Sequence, residues 1–350
     1  MRKRLSYIDT MRGFLMLMVV MEHSSTHIFK TFPSLSISYT YMFLITQFMM
    51  PAFFFICGYV LYKEKRDWTI EGEVNLLKKK FSSQIISPLL FFLLYISVNS
   101  ISLHDGVYEY HKVGYWFTFT LFFFYILIFF FFILSKRIKL NSTFGPIILI
   151  ALGYLLYLLA TYYSSRNNHL GIYGLLGILH WRYFVFMVIG YYIHQYHASI
   201  WVRYKDYICF FSIAFFVLFN FFYNDLIYIC GIIHLSVDFL LSLSGTLLVY
   251  AFFFTYQNNI DISILGKALK YIGRRTLPIY YINFLLLPTG LYAYTAFLRE
   301  SSMSLVEFTI SMALAIMNIC ICLIFYNVSF LNPKIGTFLF GVKYPDKSNS

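Results

Sequence analysis

The sequence predicts an all-α protein, a polytopic transmembrane helix bundle of about ten spans with both termini cytoplasmic. Three observations carry that expectation. Hydrophobic residues make up 60% of the chain against 12% charged, and the mean hydropathy is +0.69, values outside the range of water-soluble domains. Apolar runs of about twenty residues, the length a helix needs to cross a bilayer, recur between polar clusters. The basic residues fall on alternate connections between those runs.

Taken in order, the runs place spans near 8–29, 40–62, 82–101, 115–135, 145–163, 174–194, 207–223, 231–255, 277–298 and 304–329. Of the 27 Lys and Arg residues, only Lys30, Lys112, Arg166 and Arg299 lie in the odd-numbered connections, and Arg12 and Arg182 lie within spans. The others occupy the N-terminus, the even-numbered connections and the C-terminal tail, which puts that side in the cytoplasm. The formal net charge of +12 is therefore an orientation signal. It is not the footprint of a nucleic-acid partner, because the basic residues form no continuous patch or arm. The expected organisation is one membrane domain over 1–335 with a short cytoplasmic tail, 336–350. The start of the chain reads as an uncleaved first span, since its apolar run is broken by Glu22 and His23 and lacks a small-residue cleavage site. Cys57, Cys209, Cys230, Cys320 and Cys322 show no metal-ligand spacing and read as small hydrophobes. Most Phe are expected against lipid or between helices, and many Tyr at the membrane interfaces.

The first span carries Asp9, Arg12, Glu22 and His23, each costly in hydrocarbon unless paired or hydrated. Arg12 and His23 are eleven residues apart, close to three whole helical turns. Both side chains therefore fall on one face, roughly 16 Å apart along the axis. That face joins a permanent cation to the side chain whose ordinary pKa lies nearest neutrality. His23 and His27 also stand at i, i+4, but no Glu completes a metalloprotease signature, and no metal is expected.

The Asp9-x-x-Arg12-Gly13 sequence after a basic start, with His23 following after ten intervening residues, resembles the acyltransferase-3 family of integral-membrane enzymes. Four later stretches resemble the same family in order: Pro51–Tyr59, with Cys57 where serine is usual; Gly114-Tyr115-Trp116-Phe117; Phe184–Tyr191; and Ile272–Asn283, with Asn283 in place of the usual histidine. Lys78, Lys79 and Lys80 replace an arginine-rich segment, and lysine meets a phosphate as a point charge, not bidentately.

The resemblance implies a bacterial cytoplasmic (inner) membrane O-acyltransferase. It would take an acyl group, acetyl first of all, from acyl-CoA to a hydroxyl of a surface polysaccharide or lipid-linked glycan. No permanently bound cofactor is implied, because acetyl-CoA enters as co-substrate. Such a transfer needs a base for the hydroxyl proton, stabilisation of the oxyanion and positive groups for the donor's phosphates. His23 is expected to act as base, by direct transfer or through an acyl-His23, with Arg12, Asp9 and Glu22 around it. Arg12 is open to two readings, an ion pair with Asp9 that anchors the helix end and a contact with the donor. Arg182 is either a site cation or half of an ion pair. Trp116 stacks on a sugar or adenine, or anchors at the interface. His234 and Asp238, four apart on one span, line an acceptor groove or make a helix contact, and Asn283 can hydrogen-bond but not titrate. The rival class is a glycan transporter, since buried charge also marks substrate pathways, but no internal repeat or pair of broken helices supports it.

Overall fold

The computed structural model describes residues 5–29, 41–64, 66, 68–109, 111–140, 144–166, 172–197, 201–222, 232–287 and 304–342. Among them the chain is all-α, with no strand. In order the helices are α1 (Ser6–Phe29), α2 (Tyr41–Leu61), α3 (Ile70–Phe81), α4 (Ser87–Val98), α5 (Leu103–Tyr108), α6 (Trp116–Arg137), α7 (Phe144–Arg166), α8 (Ile172–Leu176), α9 (Phe184–Gln195), α10 (Val202–Phe221), α11 (Ile232–Thr255), α12 (Gln257–Ile262), α13 (Ile264–Gly273), α14 (Thr276–Asn283), α15 (Ser304–Ser329) and α16 (Pro333–Phe340).

Each of the ten expected spans has a helix at its place. Among the described residues seven helical stretches are long and apolar enough to cross a membrane: Tyr41–Leu61, Ile70–Val98, Trp116–Arg137, Phe144–Tyr162, Gly174–Gln195, His234–Thr255 and Leu305–Ser329. Two other helices, α1 and α10, have comparable length, but α1 holds Asp9, Arg12 and Glu22 and α10 opens on Arg203, Lys205 and Asp206. The span expected at 277–298 begins as the short apolar stretch Thr276–Leu286, and 288–298 lies outside the described residues. The last helix, α16, is capped by the Asn332 side chain, which accepts from the Lys334 amide at 3.1 Å. Phe340, near its end, is buried against the rings of Phe91, Tyr326 and Phe330.

The helix surfaces are those of a protein solvated by lipid. Along α7, Leu149, Gly153, Tyr157 and Ala160 form one buried stripe, while Ile147 and Leu155 are exposed. Both faces of the helix are thus apolar, as a bilayer requires and water would penalise. The stripe includes a glycine, at which a Cβ would come within 3.0 Å of the Val185 Cα.

The chain divides into two compact units. One comprises Met1–Leu61, Gly190–Thr276 and Leu286–Ile321, the other Tyr62–Ile189, Leu277–Leu285 and Cys322–Ser350. In the first unit α1 is the enclosed element, packed by α2, α11 and α13, with no residue from 6 to 28 exposed. Its core holds three buried tyrosines. The Tyr7 and Tyr59 hydroxyls lie 2.8 Å apart and Tyr250 donates to Tyr59 at 3.2 Å, so each polar tip finds a partner inside.

In the second unit α3 and α4 are joined by a π-helical turn, Ser82–Ile86. Pro88, just beyond it, has no N–H and would clash with the carbonyl four residues back, so the wider turn relieves both problems. The Ser83 carbonyl there accepts a hydrogen bond from the Tyr281 hydroxyl.

The α1–α13 contact depends on two glycines. A Cβ on Gly13 would overlap the Leu269 carbonyl, and one on Gly273 would overlap the Asp9 carbonyl. Backbone cannot move aside as a side-chain end can, so Gly13→Ala is expected to destabilise by about 3 kcal/mol or more. Gly145→Ala, where the nearest atom to a new Cβ is 3.8 Å away, should be nearly neutral. Thermal unfolding of the two variants in detergent checks this, and equal midpoints would contradict the packing account.

Candidate active site

At the start of α1, Asp9 is buried on the helix's inner side. Its Oδ1 lies 4.0 Å from Arg12 Nη1, one turn on, and its Oδ2 lies 3.5 Å from Nε of Arg274, just beyond α13. The side chains of Arg12 and Arg274 are 25% and 29% exposed against 3% for Asp9, so two accessible cations sit over one enclosed carboxylate. The glycine contact brings the helices close enough for this arrangement. Beside it, Asp261 accepts from Ser6 at 2.6 Å and pairs with Lys270 at 2.7 Å, tying the first residue of α1 to α13.

Three turns along α1 stands a second polar group. Glu22 Oε2 lies 3.8 Å from His23 Nε2, although adjacent helical residues diverge, and its Oε1 accepts from Thr26 at 3.1 Å. His27 donates from Nδ1 to the His23 carbonyl at 2.9 Å, committing one ring nitrogen to the helix itself. Ser25 donates to Glu307 at 2.9 Å and Tyr41 to the same oxygen at 3.3 Å, which pins α15 to this end of α1. The His23 and Glu22 side chains are 17% and 20% exposed, largely enclosed yet not sealed. On α11, His234 Nδ1 and Asp238 Oδ2 are 3.5 Å apart, an i, i+4 pair on one face as the spacing predicts. Among the described residues no group of three or more His, Cys, Asp or Glu gathers as a metal site would require.

The remaining expected site residues belong to the second unit. Trp116 stacks on His180, ring centroids 3.7 Å apart, with Tyr183 in the same stack at 5.6 Å. Arg182 donates from Nη2 to the Tyr183 hydroxyl at 2.8 Å, and its guanidinium lies 4.9 Å from the centre of that ring. Trp116 is therefore part of an aromatic cluster. Asn283 is fully buried and spends its amide on the Ile279 and Tyr280 carbonyls, at 3.1 and 2.7 Å.

A strained turn delivers Trp116. Lys112, Val113 and Gly114 all have positive φ, and at Gly114, φ 98°, a side chain would also strike the Phe284 ring. The Lys112 ammonium holds the turn by donating to the carbonyls of Val107, Glu109 and Gly174, at 2.5, 3.1 and 2.6 Å. The Glu109 carboxylate accepts from the His111 and Val113 amides, both at 2.9 Å.

Two histidines escaped the sequence reading. His180 was not singled out, yet it is buried against Trp116 in that stack, with His111 5.2 Å from it. His194 stacks on Tyr59 at 4.1 Å and donates to the Tyr59 carbonyl. His180 sits in a 3₁₀ turn, where apolar periodicity is silent, and both contacts join residues far apart in sequence. The stretches singled out by the sequence do come together in pairs. Asp9–Gly13 meets Gly273 and Arg274; Gly190 lies against the Phe55 carbonyl; and Tyr280 binds the Gly114 carbonyl and Phe117 amide while Tyr115 donates to the Tyr281 carbonyl.

Residues 5–327 match the family model described as an acyltransferase domain, that of the acyltransferase-3 family. No curated protein and no solved structure matches the chain.

Burial pushes the Lys112 ammonium down to about 8, against the opposing pull of the Glu109 carboxylate. Because the folded value lies below the ordinary one of 10.5, the cost of the charge is fully present below pH 8. It is relieved as the pH rises from about 8 towards 10.5, where the unfolded chain still holds the proton. Stability of the wild type relative to Lys112→Met should therefore climb across that window in thermal unfolding, and parallel curves would contradict the assignment.

Proposed function

This chain belongs to the acyltransferase-3 family and is a membrane acyltransferase, and on that premise we propose that it moves an acyl group, acetyl in the first instance, from acyl-CoA to a hydroxyl of a surface polysaccharide or lipid-linked glycan. The observation that carries the reading is the first helix: Arg12 and His23 share one face of α1, whose residues 6–28 are enclosed throughout. A cation and a titratable ring so placed are costly, and a polar reaction path is the purpose that accounts for both.

The distribution of Lys and Arg supports placing the Asp9–Arg12 end of α1 on the cytoplasmic side of a bacterial inner membrane, where acyl-CoA is available. Arg12 meets the donor's phosphates and His23, roughly 16 Å further along the helix, takes the proton from the acceptor hydroxyl. The hydroxyl oxygen then bonds to the thioester carbon, the carbon–sulfur bond breaks, and coenzyme A leaves with its sulfur protonated from His23. Glu22, beside the His23 ring, stabilises the imidazolium formed in between. The second histidine of the helix is oriented onto the His23 carbonyl, which supports a single base in the reaction.

His23→Ala should lower acyl-ester content of the cell-surface glycan by about a hundredfold or more, the usual worth of a positioned base. Membrane abundance of the variant should match the wild type by immunoblot. Wild-type ester content in that variant would overturn the assignment of the base.

A further inference from the structure

We propose that Arg274 forms, with Arg12, a two-jawed anion site over Asp9 that takes a phosphoryl group, that of the acyl-CoA donor; the choice of donor rests on the function proposed above. The geometry has three parts. Two guanidinium groups share one carboxylate, each approaching a different oxygen. The carboxylate is enclosed at 3% exposure while the cations are 25% and 29% exposed, so an approaching anion meets the arginines first. The neighbouring cations are differently engaged: Lys270 is matched by Asp261 at 2.7 Å, and the Arg275 guanidinium lies 3.7 Å from the centre of the Tyr271 ring.

Arginine suits this role because its planar fork presents five donors, enough to hold a carboxylate on one edge and a phosphoryl oxygen on another. Asp9 then serves as a positioning residue that fixes both forks. The glycine contact between α1 and α13 sets their spacing, because any larger residue at Gly13 or Gly273 would part the helices. Arg274 lies in the late stretch singled out by the sequence, but 262 positions away from Arg12 in the chain, a separation at which no local pattern couples them.

The test uses the full chain in phosphatidylcholine nanodiscs and isothermal titration with coenzyme A, with pantetheine, which has no phosphate, and with inorganic pyrophosphate. Arg274→Gln should weaken coenzyme A and pyrophosphate by about tenfold to a hundredfold, the loss expected for a charge-assisted hydrogen bond. Pantetheine affinity should not change, and Arg275→Gln should leave coenzyme A affinity within about twofold. The double variant Asp9→Asn/Arg274→Gln separates ligand binding from fold. Removing the carboxylate that has lost one of its two arginines should restore thermal stability without restoring coenzyme A affinity, whereas recovery of both would reduce Arg274 to a structural counter-ion. Coenzyme A affinity unchanged in Arg274→Gln, or an equal loss for pantetheine, would overturn the donor site. A second arm replaces part of the lipid by phosphatidylglycerol. If wild type binds no coenzyme A but retains phosphatidylglycerol in native mass spectrometry in an Arg274-dependent way, the anion site stands and the acyl-CoA reading fails. If Arg274→Gln alters neither, the site is refuted.

Discussion

Asp9 is the constraint on which this architecture turns. A carboxylate enclosed in a membrane protein must be paired, and here the pairing reaches both along its own helix to Arg12 and across to Arg274. The cross-helix half is possible only because Gly13 and Gly273 let two backbones touch. The same contact that satisfies a buried charge therefore fixes where the first helix lies and which way Arg12 faces. Ser6, bonded to Asp261, and Asp261, paired with Lys270, extend the seam by a further turn. Cations and small residues thus hold the start of α1 against α13, beside the buried Tyr7 ring.

The second unit solves a comparable problem with aromatic hydroxyls. Tyr280 both accepts from the Phe117 amide and donates to the Gly114 carbonyl, which satisfies the backbone groups that a helix start leaves open. That connection, with the Lys112 ammonium across three carbonyls, holds a turn in a conformation most residues avoid. The strain is spent on setting Trp116 against His180.

Much of the fold was legible because a bilayer admits few solutions: runs of apolar residues must be helices. Less was legible where polarity and span coincide. The opening of α10, with Arg203, Lys205 and Asp206, is helical but too polar to count among the seven apolar stretches. Within the site, Asp9, Arg12, Glu22 and His23 could be placed on one helix from spacing alone. The Arg274 partner of Asp9 could not, nor could the Glu307 partner of Ser25 or the stacking of His180 and His194, since each contact joins segments far apart in the chain. The tyrosines show the same limit. Composition puts them at interfaces on average, yet Tyr7, Tyr59 and Tyr250 satisfy one another in the interior of one unit.

The account stands on chemistry along α1: a donor held near Arg12 and a proton removed near His23. Its most direct test incubates purified protein with acetyl-CoA labelled in the acetyl carbonyl and an isolated surface glycan, followed by mild alkaline release of ester-bound label. The account predicts label in the glycan, released as acetate. Transfer of the glycan across a sealed membrane with no label in it would contradict the account and favour a transporter.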